Sequence, residues 1–183
     1  MAAPATPIEA PVASNPAQAD SHGTLTPTKS PLTCAAVPLI FISLRFGEAM
    51  LEAKSLQQDL HARGISTFLC DIPEGEDLAG AVITALTNCK LAVILGTKTY
   101  GKKTSSGFST FEELRFIVNE RKPHFLVKMC AEFEEAETRF RLPPDISYFL
   151  WQPKSDEERV RLPTGMVDRM VRRLHDVTQG RSG

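Results

Sequence analysis

The sequence predicts an α/β fold, a three-layer sandwich in which helices cover both faces of a central parallel sheet of about five strands. Three observations predict this fold. Apolar runs of strand length alternate with segments of helix length along most of the chain. Some of these runs carry apolar residues at successive positions, which is typical of strands buried on both faces. Repeated alternation of strand and helix favours parallel strands joined by right-handed crossovers.

The first three predicted strands span residues 38–44, 65–71 and 90–96. Between the first two, apolar residues recur at helical spacing, namely Met50, Ala53, Leu56 and Leu60. Gly64 is a natural stop for that helix. A second, short helix is expected in "LAGAVITALTNC", after the Pro/Gly loop "IPEGED".

The second half of the predicted sheet has a strand at "HFLVKMC" and an edge strand at "SYFLW". A helix is expected from about Thr110 to Glu120, before the first of these strands. The closing helix should lie in "DEERVRLPTGMVDRMVRRLHDV", with an interruption near Pro163 and Gly165.

Composition divides the chain into a tail and one domain. Residues 1–36 are rich in Ala, Pro, Ser and Thr and hold almost no large apolar residue, so they cannot offset their ordering entropy by burial. We predict a disordered tail at 1–36, a domain at 37–178 and a flexible C-terminus at 179–183.

The charge and hydropathy of the chain argue against several classes of partner. A formal net charge of −1 gives no basic excess for nucleic acid or an anionic membrane. No apolar run reaches the roughly 18 residues of a membrane span, and no signal peptide is visible. We therefore expect a cytoplasmic protein with no nucleic-acid or membrane partner. The cysteines and histidines form no metal-ligand spacing, so no metal site is expected.

The stretch "GTKTYGKKTSSG" resembles a phosphate-binding Walker A loop. Such a loop needs Gly, four residues, Gly, Lys and then Ser or Thr, and it opens a helix. Here Lys103 stands where the magnesium-binding hydroxyl is required, and the following residues are typical of a loop.

Two other members of the fold class also fit the sequence poorly. A response-regulator receiver needs acidic residues where Ser43 and Arg45 stand, and a flavodoxin needs a phosphate loop there.

Several segments, taken in order, resemble Toll/interleukin-1 receptor (TIR) domains. These segments are "PLIFISLRFGEAM", "IPEGEDLAGAVITAL", "CKLAVILGTKTYG", "FSTFEEL" and "YFLW". The resemblance covers roughly residues 38–151 and implies a flavodoxin-like three-layer sandwich, the TIR fold. The chain departs from the family pattern at Leu44, where an aromatic is usual, at Gly96, where serine is usual, and at Ser109, where tryptophan is common.

The resemblance implies two groups of functions, NAD+ cleavage and scaffolding. In NAD+ cleavage the nicotinamide leaves as a neutral amide, so one carboxylate can suffice where ordinary glycosidases use two. The resemblance assigns that carboxylate to Glu113, although Glu112 is the alternative register. Both glutamates also match a capping box, as Thr110-x-x-Glu113 and Ser109-x-x-Glu112.

The resemblance also implies a nucleotide-binding cleft, with NAD+ as substrate and no bound cofactor. Its expected lining residues are Leu44, Arg45, Phe46, Asp71, Gly75 and Trp151. Arg45 would pair with phosphate, and Trp151 would stack on a ring unless it is a strand-end core residue. Expected partners are a second copy or other TIR domains. The alternatives are a non-enzymatic TIR adaptor and, less favoured, a nucleotide-processing transferase.

Overall fold

The computed structural model describes residues 37–70, 78–104 and 109–181. Five strands and six helices are assigned within these ranges. The strands are β1 (Ile40–Leu44), β2 (Thr67–Leu69), β3 (Leu91–Gly96), β4 (His124–Lys128) and β5 (Tyr148–Leu150). The helices are α1 (Met50–Ala62), α2 (Leu78–Asn88), α3 (Thr110–Asn119), α4 (Ala136–Arg141), α5 (Asp156–Val160) and α6 (Met166–Thr178).

The five strands form one parallel sheet in the order β2-β1-β3-β4-β5. This confirms the predicted α/β sandwich, including β5 as an edge strand. The second strand is shorter than predicted, and the short helix α4 was not expected. The closing helix is interrupted as predicted, because α5 ends at Val160 and Gly165 adopts a left-handed φ of 78° before α6.

Two hydrophobic cores lie on the two faces of the sheet. Side chains alternate along β1, so Ile40, Ile42 and Leu44 join one core while Phe41 joins the other. The first core is completed by residues of α1 and α6, and the second by residues of α2 and α3. The central strands β1 and β3 are buried at every position, as expected for parallel strands covered on both faces.

Several predicted features fall outside the described residues. These are the tail at 1–36, the loop that carries Asp71 and Gly75, and positions 105–108 before α3. No helix of the described residues is long and apolar enough to cross a membrane.

Candidate active site

The carboxyl ends of β1 and β3 mark the place where the chain reverses direction across the sheet. From β1 the chain crosses through α1 to β2 on one side, then returns through α2 and passes β1 to reach β3 on the other side. Open α/β sheets bind ligands in the crevice at such a reversal point. The side chains that meet at this edge are therefore the first candidates for a site.

The start of α3 decides which of the two adjacent glutamates is the cap. Ser109 is the N-cap residue, its hydroxyl accepts from the backbone N–H of Phe111 at 3.3 Å, and Glu112 accepts from the backbone N–H of Ser109 at 2.8 Å. The hydroxyl of Thr110 instead accepts from the backbone N–H of Gly101 at 3.0 Å. The capping box is therefore formed by Ser109 and Glu112, which leaves the carboxyl group of Glu113 without a capping role.

Glu113 instead points into a buried polar network beneath the end of β1. Ser43 donates to Oε2 of Glu113, and the hydroxyl oxygens of Ser43 and Tyr100 are 2.5 Å apart. When Glu113 is ionised, the single proton of the Ser43 hydroxyl goes to the carboxylate, so the Tyr100 hydroxyl is then the donor to Ser43. The exposed fractions are 8% for Glu113, 1% for Ser43 and 0% for Tyr100.

Burial determines the protonation of this network. Removal from water raises the pKa of Glu113 to about 8, the hydrogen bond from Ser43 opposes that rise, and the negative charge of Glu112 adds to it. Burial also raises the pKa of Tyr100, and the negative charge of Glu113 raises it further. At neutral pH the Glu113 carboxyl group is thus mostly protonated in this arrangement.

The position of Tyr100 depends on a tight turn after β3. Gly101 has a left-handed φ of 84°, and a Cβ there would lie 2.1 Å from the Thr138 hydroxyl oxygen. That hydroxyl donates to the Tyr100 carbonyl at 2.8 Å. Gly96 belongs to β3, and a Cβ there would lie 2.9 Å from the Phe133 ring, which gives a packing reason for glycine at this position. These contacts account for both glycines without a phosphate loop.

Arg45 and Phe46 lie beside this network, at the exit of β1. Arg45 Nε is 3.2 Å from Glu48 Oε1, and its guanidinium also donates to the Lys102 carbonyl at 3.5 Å. Phe46 is 55% exposed. The ion pair is the structural alternative to phosphate binding for Arg45, while the exposed ring of Phe46 is free to contact a ligand.

Leu44 and Trp151 lie in the core on the opposite face of the sheet from Glu113. Both are buried, and Trp151 has only 5% of its surface exposed. In this packing the ring of Trp151 is a strand-end core residue, and it would have to leave the core to stack on a ligand. Asp71 and Gly75 lie outside the described residues. The ligand-binding roles of all four residues remain predictions.

Sequence reasoning did not assign roles to Ser43, which the structure places against Glu113, or to Tyr100, which is hydrogen-bonded to Ser43. Ser43 carried a usable signal, because it is the one polar residue in the buried strand "IFISL". Thr97 is a further buried polar residue, in the turn after β3. Its hydroxyl has no hydrogen-bond partner among the described residues. Within those residues, no group of three or more potential metal ligands is found.

Comparisons with known proteins bear on the fold. No protein-family model matches the sequence, and a comparison with curated proteins gives no match. The structure is similar to the TIR domain of the Toll-related receptor TRR-2 from Hydra magnipapillata, with a TM-score of 0.53, 13% identity, and coverage of 74% of this chain and 97% of that domain.

Two further solved structures are also similar to this chain. The RPS4 and RRS1 TIR domain heterodimer gives a TM-score of 0.47 at 16% identity, covering 76% of this chain and 97% of that one. The TIR domains of the activated Roq1 resistosome, which recognises the pathogen effector XopQ, give 0.42 at 18% identity, covering 78% and 82%. With the parallel five-stranded sheet, the Hydra domain shows that this chain has the TIR fold.

Proposed function

We propose that the chain is a TIR-domain NAD+ glycohydrolase that releases nicotinamide and ADP-ribose or a cyclic form of it. The observation that carries this proposal is that the two adjacent glutamates at the start of α3 have different contacts. Glu112 forms the capping box, whereas Glu113 is buried against Ser43 at the sheet edge where ligands bind in this fold class. A carboxyl group in that position has no role in starting the helix.

The reaction requires the ionised form of Glu113. As the nicotinamide–ribose bond breaks, positive charge develops on the ribose, and a carboxylate in a water-poor site stabilises that charge strongly. In the ligand-free protein the pKa of Glu113 is about 8. The cationic nicotinamide ring of bound NAD+ would lower this pKa, because an opposite charge nearby favours the carboxylate. Substrate binding would thus ionise the group that the reaction needs.

The hydrogen-bonded chain from Tyr100 to Glu113 supports this role. The chain ends in a hydrogen bond that the Ser43 hydroxyl donates to Oε2 of Glu113. This bond favours the charged form of Glu113 and fixes its carboxyl group in one orientation. Ser43 and Tyr100 act through Glu113 and are positioning residues in this proposal. Arg45 and Phe46 are proposed to contact the phosphates and an apolar part of NAD+ from the exit of β1.

A second candidate function is a non-enzymatic interaction module. The observation that favours it is the covered carboxyl group, because Glu113 is 8% exposed and its network has the form of a structural polar cluster. Exposed apolar side chains, with Phe140 at 85% and Leu150 at 56%, would suit contacts with another protein. In either case we propose a cytoplasmic protein that associates with itself or with other TIR domains.

The experiment follows NAD+ by chromatography with purified full-length protein over a dilution series. We expect nicotinamide and ADP-ribose or its cyclic form from wild type, and none from a folded Glu113→Ala variant. Because we propose that association supports activity, specific activity should fall on dilution. Folded, concentrated wild type that leaves NAD+ intact would leave the interaction module as the function. Transfer of ADP-ribose to an added base as the main reaction would indicate a transferase.

A further inference from the structure

A second concave site lies at the amino ends of the strands, opposite the edge that carries Glu113. It is an open cavity of about 790 Å³ between the end of α3, the start of β4 and the exposed side of α6. Strand β5 begins opposite Leu126, so His124 and Phe125 precede the part of β4 that β5 covers. Nothing in the proposed NAD+ chemistry uses this cavity.

The lining of the cavity is strongly cationic. Its charged residues within the described chain are six cations and one carboxylate, namely Arg121, Lys122, Arg141, Arg169, Arg172, Arg173 and Asp176. The net charge of the whole chain is −1, so this is a local concentration and not a general basic excess. On α6, Arg169 and Arg173 are four residues apart and share a helix face, where like charges destabilise the helix slightly.

The cations of the cavity differ in whether a protein oxygen holds their charged group. Lys122 donates to the carbonyls of Thr87 and Cys89, and Arg141 is 2.8 Å from Glu137. By contrast, no carboxylate among the described residues forms an ion pair with the four other arginines, which are Arg121, Arg169, Arg172 and Arg173. The guanidinium of Arg169 lies over the Phe149 ring, 5.5 Å from its centroid, a contact that leaves its N–H groups unpaired with any carboxylate of the described residues. Their guanidinium groups are therefore available to an anion.

Arg121 has a left-handed backbone conformation that disfavours residues other than glycine. It ends α3 with a left-handed φ of 50°, its N–H bonds to the Val118 carbonyl at 3.1 Å, and the N–H of Lys122 bonds to the Ile117 carbonyl at 2.8 Å. This is a Schellman ending, in which glycine is the usual residue because it lacks a Cβ. Arginine at this position is better accounted for by its side chain than by the turn.

We propose that the cavity binds an organic polyphosphate, with its phosphates on the arginines and its apolar part against the uncharged wall. Arginine recognises phosphate through paired hydrogen bonds. Val118, Phe125 and Ile146 supply an apolar wall beside the cations. The volume lies within the range of about 300–1,000 Å³ that is usual for small-molecule sites. A concave site of this size favours a compact ligand over a long nucleic acid.

The test is a calorimetric titration of the full-length protein with ATP, AMP, adenosine and inorganic tripolyphosphate. We expect ATP to bind more tightly than AMP or tripolyphosphate, and adenosine not to bind. Arg172→Glu should weaken ATP binding by about tenfold or more, the usual effect of losing a charged hydrogen bond. Arg161→Glu is the matched control, because it makes the same charge change at an exposed residue outside the cavity.

Two variants distinguish a phosphate site from a purely structural role of the cavity residues and from binding at the Glu113 edge. Arg121→Gly should weaken ATP binding while leaving the thermal unfolding midpoint unchanged or higher, which a purely structural role cannot produce. Arg45→Glu should leave ATP affinity unchanged, because Arg45 is the residue proposed to contact phosphates at the Glu113 edge, and the cavity lies at the opposite edge of the sheet. The proposal is overturned if ATP does not bind, if Arg161→Glu weakens binding as much as Arg172→Glu, or if an oligonucleotide binds and ATP does not.

Discussion

The burial of Glu113 predicts that the stability of the fold depends on pH between about 4.5 and about 8. Its pKa is about 8 in the folded chain, against an ordinary value of 4.5. Between these values the folded state binds the proton more tightly than the unfolded state does. The carboxyl group therefore contributes stability that is fully present below pH 4.5 and is lost as the pH rises through 8.

The size of this effect follows from the two pKa values. A difference of that size corresponds to about 5 kcal/mol over the full range, at 1.36 kcal/mol for each pKa unit. Between pH 5 and pH 8 the expected fall is about 3 kcal/mol. Other shifted groups lie outside this window, since the pKa values of Glu112 and Glu134 are lowered from 4.5 and those of Cys89 and Cys130 are raised from 9.0.

The assay is urea unfolding of wild type and Glu113→Gln at intervals from pH 5 to pH 8. The glutamine is uncharged at every pH, so the free energy of unfolding of wild type should fall relative to that of the variant by about 3 kcal/mol across the window. Glu112→Gln is the control. The pKa of Glu112 is lowered, so its contribution is lost only as the pH falls below about 4.5. Parallel curves for wild type and Glu113→Gln would refute the reasoning.

Three further outcomes are expected. Ser43→Ala removes the hydrogen bond that favours the ionised carboxylate, so the pKa of Glu113 should rise further, and NMR titration that finds it unchanged or lower would contradict this. Arg159→Met leaves the buried Glu52 carboxylate without its partner at 2.7 Å and should lower the free energy of unfolding by about 3 kcal/mol in a denaturant series; a loss under about 1 kcal/mol would show that the pair matters little. Thr97→Val removes a buried hydroxyl that has no partner among the described residues, so stability should rise by about 1 kcal/mol, and a loss would show that the hydroxyl is bonded.

The order of elements could be predicted because the strand segments are rich in apolar residues. In β3, "LAVILG", every residue is buried, so an apolar run of strand length was sufficient to identify it. Helix α4, "AETRFR", gave no such signal because it is six residues long and only Thr138 is buried. A short polar helix is stabilised by contacts distant in sequence, which local patterning cannot show.

The sequence alone also could not show which of the two glutamates forms the capping box. Ser109 and Thr110 are each followed three residues later by a glutamate, so both registers satisfied the same local rule. The choice depends on Gly101, whose N–H occupies the Thr110 hydroxyl from a turn nine residues earlier in the chain. The network around Glu113 likewise joins residues that are 57 and 70 positions apart in the chain.

The most direct test of the central claim compares nicotinamide release by two neighbouring variants, Glu113→Gln and Glu112→Gln, with folding of each verified by circular dichroism. Both remove one carboxylate from the first turn of α3, but only Glu113 lies in the buried network. We expect Glu113→Gln to lose activity almost completely and Glu112→Gln to retain most of it. If the folded Glu113→Gln variant releases nicotinamide at the wild-type rate, Glu113 is not the essential carboxylate.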